Sequence, residues 1–98
     1  MNLRQALAVA IKSVRKTRNL TQEDFEIVSS RTYLSSLERG LKSPTLDKLH
    51  ELSRVMDVHP ASLILLAYAV ANEDGEAVID EVVKETKLLI SSLRSAQV

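Results

Sequence analysis

The chain has 98 residues, enough for one compact domain with a short appended element, and this length argues against a multidomain enzyme. Apolar residues make up 45% of it but aromatic residues only 3%, and the apolar set is mostly Leu, Val, Ile and Ala, so a helical bundle is favoured over a β-sandwich. Cysteine is absent, which excludes disulfides and cysteine-ligated zinc and fits a reducing compartment, so we expect a cytoplasmic protein.

The formal net charge is zero, but the charges are unevenly distributed along the chain. Residues 1–50 carry nine Lys and Arg against five Asp and Glu, whereas residues 51–98 carry four against eight. This asymmetry predicts a basic half that faces phosphate groups and an acidic half that faces elsewhere.

An amphipathic helix is predicted near the N-terminus, where apolar residues recur at helical spacing at Leu3, Leu7, Ala10, Ile11 and Val14. Arg4 and Lys12 interrupt its apolar character, so the segment is not expected to be a signal peptide. A second, short helix is expected to start at Thr21. Its hydroxyl would accept a backbone hydrogen bond in a capping box with the acidic residues that follow.

A third helix is predicted over residues 30–37, where Ser30 caps the first turn and Gly40 lies just beyond the end. Leu34 and Leu37 have helical spacing and are expected to face the core. The other positions are polar, and a DNA major groove about 12 Å wide admits one helix with such side chains on its first turns. Arg31 is suited to donate two hydrogen bonds to guanine O6 and N7.

Three further helices are predicted in the rest of the chain. The fourth begins at Ser43-Pro44-Thr45, and residues 61–71, apolar almost all round, should form a buried fifth helix. That run is far shorter than the roughly 20 residues of a membrane span, so no membrane partner is expected. After a linker at residues 72–75, a helix from Glu76 to about Ala96 carries a heptad-like stripe at Ile79, Val83, Thr86, Ile90 and Leu93. Because about two heptads do not support a free coiled coil, this stripe must be buried against its own domain or a second copy.

No pattern typical of catalysis or cofactor binding occurs in the sequence. His50 and His59 lie nine residues apart and have no cysteine partner, so they do not have metal-ligand spacing. The two glycines, Gly40 and Gly75, are too far apart for a phosphate-binding loop. We therefore expect neither an enzyme nor a bound cofactor.

Three runs, residues 20–25, 30–40 and 43–46, closely resemble the Cro and lambda-repressor class of helix-turn-helix proteins, the Xre family. The resemblance covers roughly residues 3–66. It implies an all-α fold with a five-helix repressor-like DNA-binding domain at residues 1–71. The heptad-like stripe beyond it predicts a dimerisation helix within residues 72–98. The implied function is that of a sequence-specific transcriptional regulator, expected to be a repressor, which binds a palindromic double-stranded DNA operator as a homodimer and is associated with the nucleoid.

The resemblance also assigns roles to individual residues around the expected recognition helix. The base contacts are expected at Arg31, Thr32 and Ser36. The phosphate contacts are expected at Gln22, Ser35, Arg39, Lys42 and Thr45. Arg15 and Glu38 occupy positions that form a structural ion pair in the family, and Tyr33 is expected to pack beside the core or to reach a phosphate with its hydroxyl.

The chain departs from the family between the second and third helices. Family members usually place about seven residues between the positions matched by Phe25 and Ser30, often with a glycine in the turn, whereas here the separation is five and glycine is absent. We expect a shortened second helix or a tightened turn, with Ser29 or its neighbour in a less common backbone conformation. The identity of the base-reading side chain depends on the resulting helix tilt.

Two other interpretations remain open at the sequence level. The chain is alternatively an antitoxin-like or adaptor module whose last helix binds a different protein partner and whose DNA binding is secondary. The other alternative is a purely structural helical bundle, which would have no preferred DNA sequence.

Overall fold

The computed structural model describes residues 1–96, and this part of the chain contains helices and no strands. The elements are α1 (Leu3–Thr17), a 3₁₀ helix (Gln22–Phe25), α2 (Arg31–Glu38), α3 (Leu46–Val55), α4 (Pro60–Val70) and α5 (Gly75–Ala96). The all-α prediction is confirmed. Residues 97 and 98, which end the predicted C-terminal segment, lie outside the described residues.

The helices begin at polar caps that the sequence makes recognisable. Ser30 accepts a hydrogen bond of 3.1 Å from the N–H of Tyr33, and Thr45 accepts one of 3.1 Å from the N–H of Lys48. These bonds satisfy N–H groups that have no partner within the helix. The predicted starts of α2 and α3 therefore hold to within a residue.

Three helices end at a residue with a left-handed backbone. Asn19, Gly40 and Asp57 have φ values of 58°, 73° and 56°. After α2, the N–H of Gly40 donates to the carbonyl of Leu37 and the next N–H donates to the carbonyl of Ser36, both at 3.0 Å. This pattern satisfies the last carbonyls of the helix and turns the chain sharply.

The short connection before α2 is achieved by tightening the second helix into a single 3₁₀ turn. A 3₁₀ helix has about 3.0 residues per turn and fits a shorter segment than an α-helix. The N–H groups of Val28 and Ser29 both donate to the carbonyl of Phe25 at 2.9 Å. Among positions 1–96, neither Ser29 nor the residues beside it have a left-handed backbone, so the connection is tightened without that conformation.

The capping box predicted at Thr21 is present at the start of the 3₁₀ helix. The Asp24 carboxylate accepts hydrogen bonds from the N–H and the hydroxyl of Thr21, at 2.7 and 3.2 Å. It thereby satisfies the backbone N–H that precedes the helix.

The core lies between the 3₁₀ helix and α1, α2, α3 and α4. Its fully buried members are large apolar side chains: Ile11, Phe25, Leu34, Leu37, Leu52, Met56 and Leu63. A second, smaller cluster of Ala6, Ala10 and Ala67 lies where α1 meets α4, and these small side chains allow the two helices to approach closely. The core thus fixes α2 by its inner face and leaves its outer face free.

The prediction that the helix at residues 61–71 is buried is wrong for the single chain. Only Leu63 and Ala67 of α4 are buried, while Tyr68 and Val70 are exposed. The reason is that its neighbours α1, α3 and α5 leave part of its surface uncovered. Among the described residues, no helix is both long enough and apolar enough to cross a membrane.

The last helix packs against α4 at its beginning and then extends away from the domain. A Cβ atom added to Gly75 would lie 2.8 Å from the carbonyl oxygen of Ala69, so the first residue of α5 must be small. From Gly75 to Ala96, no residue of α5 is buried. A helix of 22 residues spans about 33 Å, roughly twice the length of α4, and within residues 1–96 its second half is exposed along its whole length.

Candidate nucleic-acid interface

The outer face of α2 carries most of the polar side chains that the sequence assigns to DNA. Leu34 and Leu37 anchor the inner face in the core, as predicted. On the outside, five of the predicted residues line one shallow depression: Gln22, Arg31, Thr32, Ser35 and Arg39. The structure therefore brings the 3₁₀ helix and α2 together around one polar, solvent-facing surface.

Ser36 does not belong to this surface. It is only 7% exposed, whereas Arg31 and Thr32 are exposed. Ser36 follows Ser35 by one residue, which is about 100° around the helix and brings it to the covered side. A buried hydroxyl does not reach a base edge, so the structure gives no support to the predicted base contact of Ser36.

Lys42 and Thr45, two of the predicted phosphate contacts, do not line this depression. The Lys42 ammonium lies 5.5 Å from the centre of the Tyr33 ring, and the Thr45 hydroxyl is engaged in the cap of α3. Tyr33 itself is half-buried and packs against the core, which agrees with the packing role considered for it. A lysine over the face of an aromatic ring is held by the ring's electrostatic quadrupole, so Lys42 is oriented by Tyr33.

Lys48 is a basic residue beside Tyr33 whose contacts the sequence reasoning missed. Its ammonium lies 5.7 Å from the centre of the Tyr33 ring and donates a hydrogen bond of 2.6 Å to the carbonyl of Val28. It also pairs with Glu51 at 3.0 Å. Lys48 thus ties α3 to the turn that precedes α2. The sequence did place Lys48 in the first turn of α3, because it lies three residues after the Thr45 cap.

Behind the surface, Arg15 and Glu38 form the predicted ion pair. Arg15 donates two hydrogen bonds to Glu38, at 2.6 and 2.9 Å, and a third of 2.8 Å to the carbonyl of Leu20. The Glu38 carboxylate also accepts a bond of 3.2 Å from the amide of Gln22. The hydrogen bond to Glu38 raises the pKa of the Arg15 guanidinium, against the opposing effect of burial. The pair therefore joins α1, the 3₁₀ helix and the end of α2.

Arg31 is paired with carboxylates that the sequence reasoning did not connect to it. Its guanidinium forms a salt bridge with Glu23 and lies 3.6 Å from Glu26. The tight 3₁₀ turn places these acidic residues beside the start of α2. The spacing of eight and five residues across a turn has no helical or strand periodicity, so no simple pattern in the sequence reveals the contact.

Three of the five predicted interface residues of the last helix line apolar grooves beside α4. Ile79 lines one groove together with residues of α1 and α4, and Val83 and Thr86 line another between α4 and α5. Further along the stripe, Ile90 and Leu93 are 41% and 64% exposed. The stripe therefore lies beside α4 as far as Thr86 and is exposed to solvent beyond it.

In the described part of the chain, neither histidine has a contact that indicates a functional role. His59 uses its Nδ1 to accept a hydrogen bond of 3.0 Å from the N–H of Ala61, which caps α4, and His50 is exposed. Within residues 1–96, no group of three or more His, Asp and Glu side chains is arranged to hold a metal ion.

A short helix, a tight turn and a second helix with a buried apolar side and a free polar side define a helix-turn-helix DNA-binding protein. The model of the helix-turn-helix family matches residues 11–63, more than half of the chain. The protein belongs to this family of transcriptional regulators, as the resemblance to the Xre class predicted.

Three curated relatives agree with this assignment. The "uncharacterized HTH-type transcriptional regulator y4dJ" of Sinorhizobium fredii is 38% identical over 66 residues, which cover 65% of this chain and 86% of the relative. The control protein C.BamHI of Bacillus amyloliquefaciens is 32% identical over 64% of this chain and 82% of its own length. The control protein C.SmaI of Serratia marcescens is 32% identical over 76% of this chain and 90% of its own length. No solved structure gave a significant match. All three relatives are named as regulators or control proteins, so the expectation of a non-enzymatic regulator is confirmed.

Proposed function

We propose that the protein is a repressor that binds a palindromic operator as a homodimer and inserts α2 of each subunit into the major groove. The observation that carries this proposal is the outer face of α2, where Arg31, Thr32 and Ser35 lie exposed or half-exposed on a helix whose inner face is locked into the core. A rigid helix presents its side chains to base edges with little loss of conformational freedom on binding.

Arg31 and Thr32 are the proposed base contacts. A guanidinium matches the O6 and N7 acceptors of guanine, and a threonine methyl matches the C5-methyl group of thymine. The base-contact role predicted for Ser36 is not carried forward because this side chain is buried. The proposed recognition surface is thereby narrowed to the first turn of α2.

The proposed phosphate contacts surround this turn. They are Gln22, Ser35, Arg39, Lys42 and Thr45. The ammonium of Lys42 lies over the Tyr33 ring, which holds this charge near α2. Such contacts supply affinity and register on any DNA sequence, and their contribution falls with salt.

The proposed homodimer interface is formed by α5, with domain limits of 1–71 and 72–98. In the single chain the second half of this helix exposes Ile90 and Leu93 together with a further leucine, Leu89. Apolar stripes of this kind are usually buried against a partner. A second copy carries the same stripe and the same α4–α5 grooves, so a two-fold arrangement buries both.

Two-fold symmetry would place the two α2 helices about 34 Å apart, one turn of DNA. The relatives named as control proteins support a regulatory role for this chain, which we propose takes place in the cytoplasm on nucleoid DNA. No small-molecule domain is part of the proposal, so regulation depends on protein concentration, a protein partner or operator arrangement.

The decisive experiment is selection of bound sequences from a library of random double-stranded DNA, combined with sedimentation of the complex. We expect a symmetric consensus with two half-sites and a complex that contains two protein chains. An asymmetric site bound by one chain would contradict the dimeric part of the proposal, and the absence of a preferred sequence would contradict the whole.

The exposed stripe of α5 also favours a second candidate, an antitoxin-like or adaptor module in which a different protein covers this helix. The same experiment separates the two candidates. A monomer that shows weak, salt-sensitive binding without a consensus supports the adaptor, whereas a dimer that retains strong preference for one sequence supports the repressor.

A further inference from the structure

The arginine proposed to read a base is held by two carboxylates in the DNA-free protein. The Arg31 guanidinium forms a salt bridge with Glu23 of the 3₁₀ helix and lies 3.6 Å from Glu26, which follows that helix. The three side chains are 53%, 68% and 61% exposed. Both carboxylates therefore stand at the rim of the surface that would face DNA.

The acceptors that compete with these carboxylates for Arg31 differ between DNA sequences. Exposed ion pairs are weak, so a better acceptor can replace them. Guanine offers two acceptors in the geometry that a guanidinium matches, within a groove from which water is partly displaced. On a sequence without that guanine, the competing acceptors are backbone phosphates, which every sequence presents equally.

We infer that Glu23 and Glu26 are specificity-determining residues, which hold Arg31 away from DNA phosphates unless a guanine edge replaces them. This inference rests on the proposed DNA contact of Arg31. On non-operator DNA the paired arginine contributes no net cation, and binding is weakened. On the operator the Arg31 guanidinium leaves the two carboxylates and binds the guanine edge. The new hydrogen bonds to guanine offset the loss of the ion pairs.

The test compares the wild-type protein with the double variant Glu23→Gln/Glu26→Gln. Affinities for the selected operator and for a random duplex of equal length are measured by fluorescence anisotropy over a salt series. We expect binding to the random duplex to strengthen more than binding to the operator. The ratio of operator affinity to random-duplex affinity should therefore fall about two- to fivefold. The salt dependence on random DNA should steepen by about 0.9, the slope expected for one additional phosphate contact.

Two controls separate this effect from a general change in charge. Asp47→Asn removes an exposed carboxylate at the start of α3, and we expect it to change both affinities equally. In an Arg31→Ala background, the double substitution should leave the affinity ratio unchanged, because there is no arginine to release. Thermal unfolding of each variant confirms that it is folded.

The possible results lead to distinct conclusions. An unchanged ratio in the double variant, with Arg31→Ala still altering base preference, overturns the inference and leaves the proposed function intact. An equal fall of the ratio with and without Arg31 also overturns it, because the carboxylates would then act without the arginine. If Arg31→Ala alone leaves base preference unchanged, the proposed base contact is wrong.

Discussion

Glu38 receives both of its strongest hydrogen bonds from Arg15, at 2.6 and 2.9 Å, across the contact between α1 and the last residue of α2. The Glu38 side chain is 3% exposed and that of Arg15 is 11% exposed. The remaining bonds of the pair go to the carbonyl of Leu20 and the amide of Gln22. The pair thus determines how α2 is oriented on the domain, without itself facing the proposed DNA surface.

Glu38→Ala should destabilise the protein strongly, because it leaves the Arg15 guanidinium largely buried without its carboxylate partner. Breaking a buried ion pair by removing one member costs about 3–5 kcal/mol. We expect a loss near the lower end, since Arg15 keeps its bond to the Leu20 carbonyl. Urea unfolding followed by circular dichroism measures the loss.

Glu38→Gln is the matched control for this substitution. It keeps the shape and an acceptor for Arg15 and Gln22 but removes the charge, so the loss should be smaller than for Glu38→Ala. Both variants, where folded, should keep the base preference of the wild type. A changed base preference with little loss of stability would mean that Glu38 faces DNA.

Arg31→Ala should reduce the discrimination between bases at one position of the operator. The base preference at the other positions should be unchanged. Loss of a bidentate contact to guanine costs about 1–3 kcal/mol of discrimination at that position. Arg39→Ala is the comparison, because Arg39 is a proposed phosphate contact immediately after the same helix. It should weaken binding to all sequences alike and reduce the salt slope by about 0.9.

Competition binding against operators with single base substitutions provides the measurement for both arginine variants. If Arg31→Ala behaves like Arg39→Ala, Arg31 contacts a phosphate and the proposed base reader is wrong. If Arg39→Ala instead relaxes discrimination at one position, the C-terminal end of α2 reads the groove.

The sequence predicts α2 well because its limits are determined locally. Ser30 caps the first turn and Gly40 supplies the left-handed residue after the last, and both signals operate within a few residues of the helix. The Arg15–Glu38 pair was accessible only through the family resemblance, because it joins residues 23 positions apart. Local physics therefore determines where the helices begin and end, and tertiary packing determines which side chains they bring together.

The features that the sequence did not predict depend on packing around a shortened segment. The separation of Phe25 and Ser30 indicated a tightened connection, but it did not distinguish a 3₁₀ turn from a shortened α-helix. The burial of Ser36 and the contact between Arg31 and Glu23 both depend on the position of α2 against its neighbours. The spacing of residues within a single helix therefore does not predict the burial of Ser36 or the pairing of Arg31 with Glu23.

Gly40→Ala should lower stability although there is room for the added methyl group. The nearest atoms to a Cβ at this position belong to Gln5 and Ala8, at 3.8 and 3.9 Å, which is ordinary contact. The penalty comes from the backbone φ of 73°, since a left-handed conformation costs an L-residue about 1–2 kcal/mol. Thermal unfolding should show a lower midpoint for Gly40→Ala than for Gly40→Asn, because asparagine tolerates this conformation better. Equal stability of all three proteins would contradict the argument.

Ile90→Glu should disrupt the proposed homodimer without unfolding the subunit. Ile90 is 41% exposed in the single chain and belongs to α5 beyond its contact with α4, so a charge there remains solvated in the monomer. In a dimer that buries the stripe, the same charge would be desolvated without a partner. We expect the dissociation constant of the dimer to rise at least about tenfold, which corresponds to about 1.4 kcal/mol.

Ser92→Glu is the matched control, because it adds the same charge to the same helix about 200° away from Ile90. Sedimentation equilibrium should show a monomer for Ile90→Glu and a dimer for Ser92→Glu, and operator affinity should fall only for the first. A dimer that survives Ile90→Glu would place the subunit contact elsewhere than on this stripe.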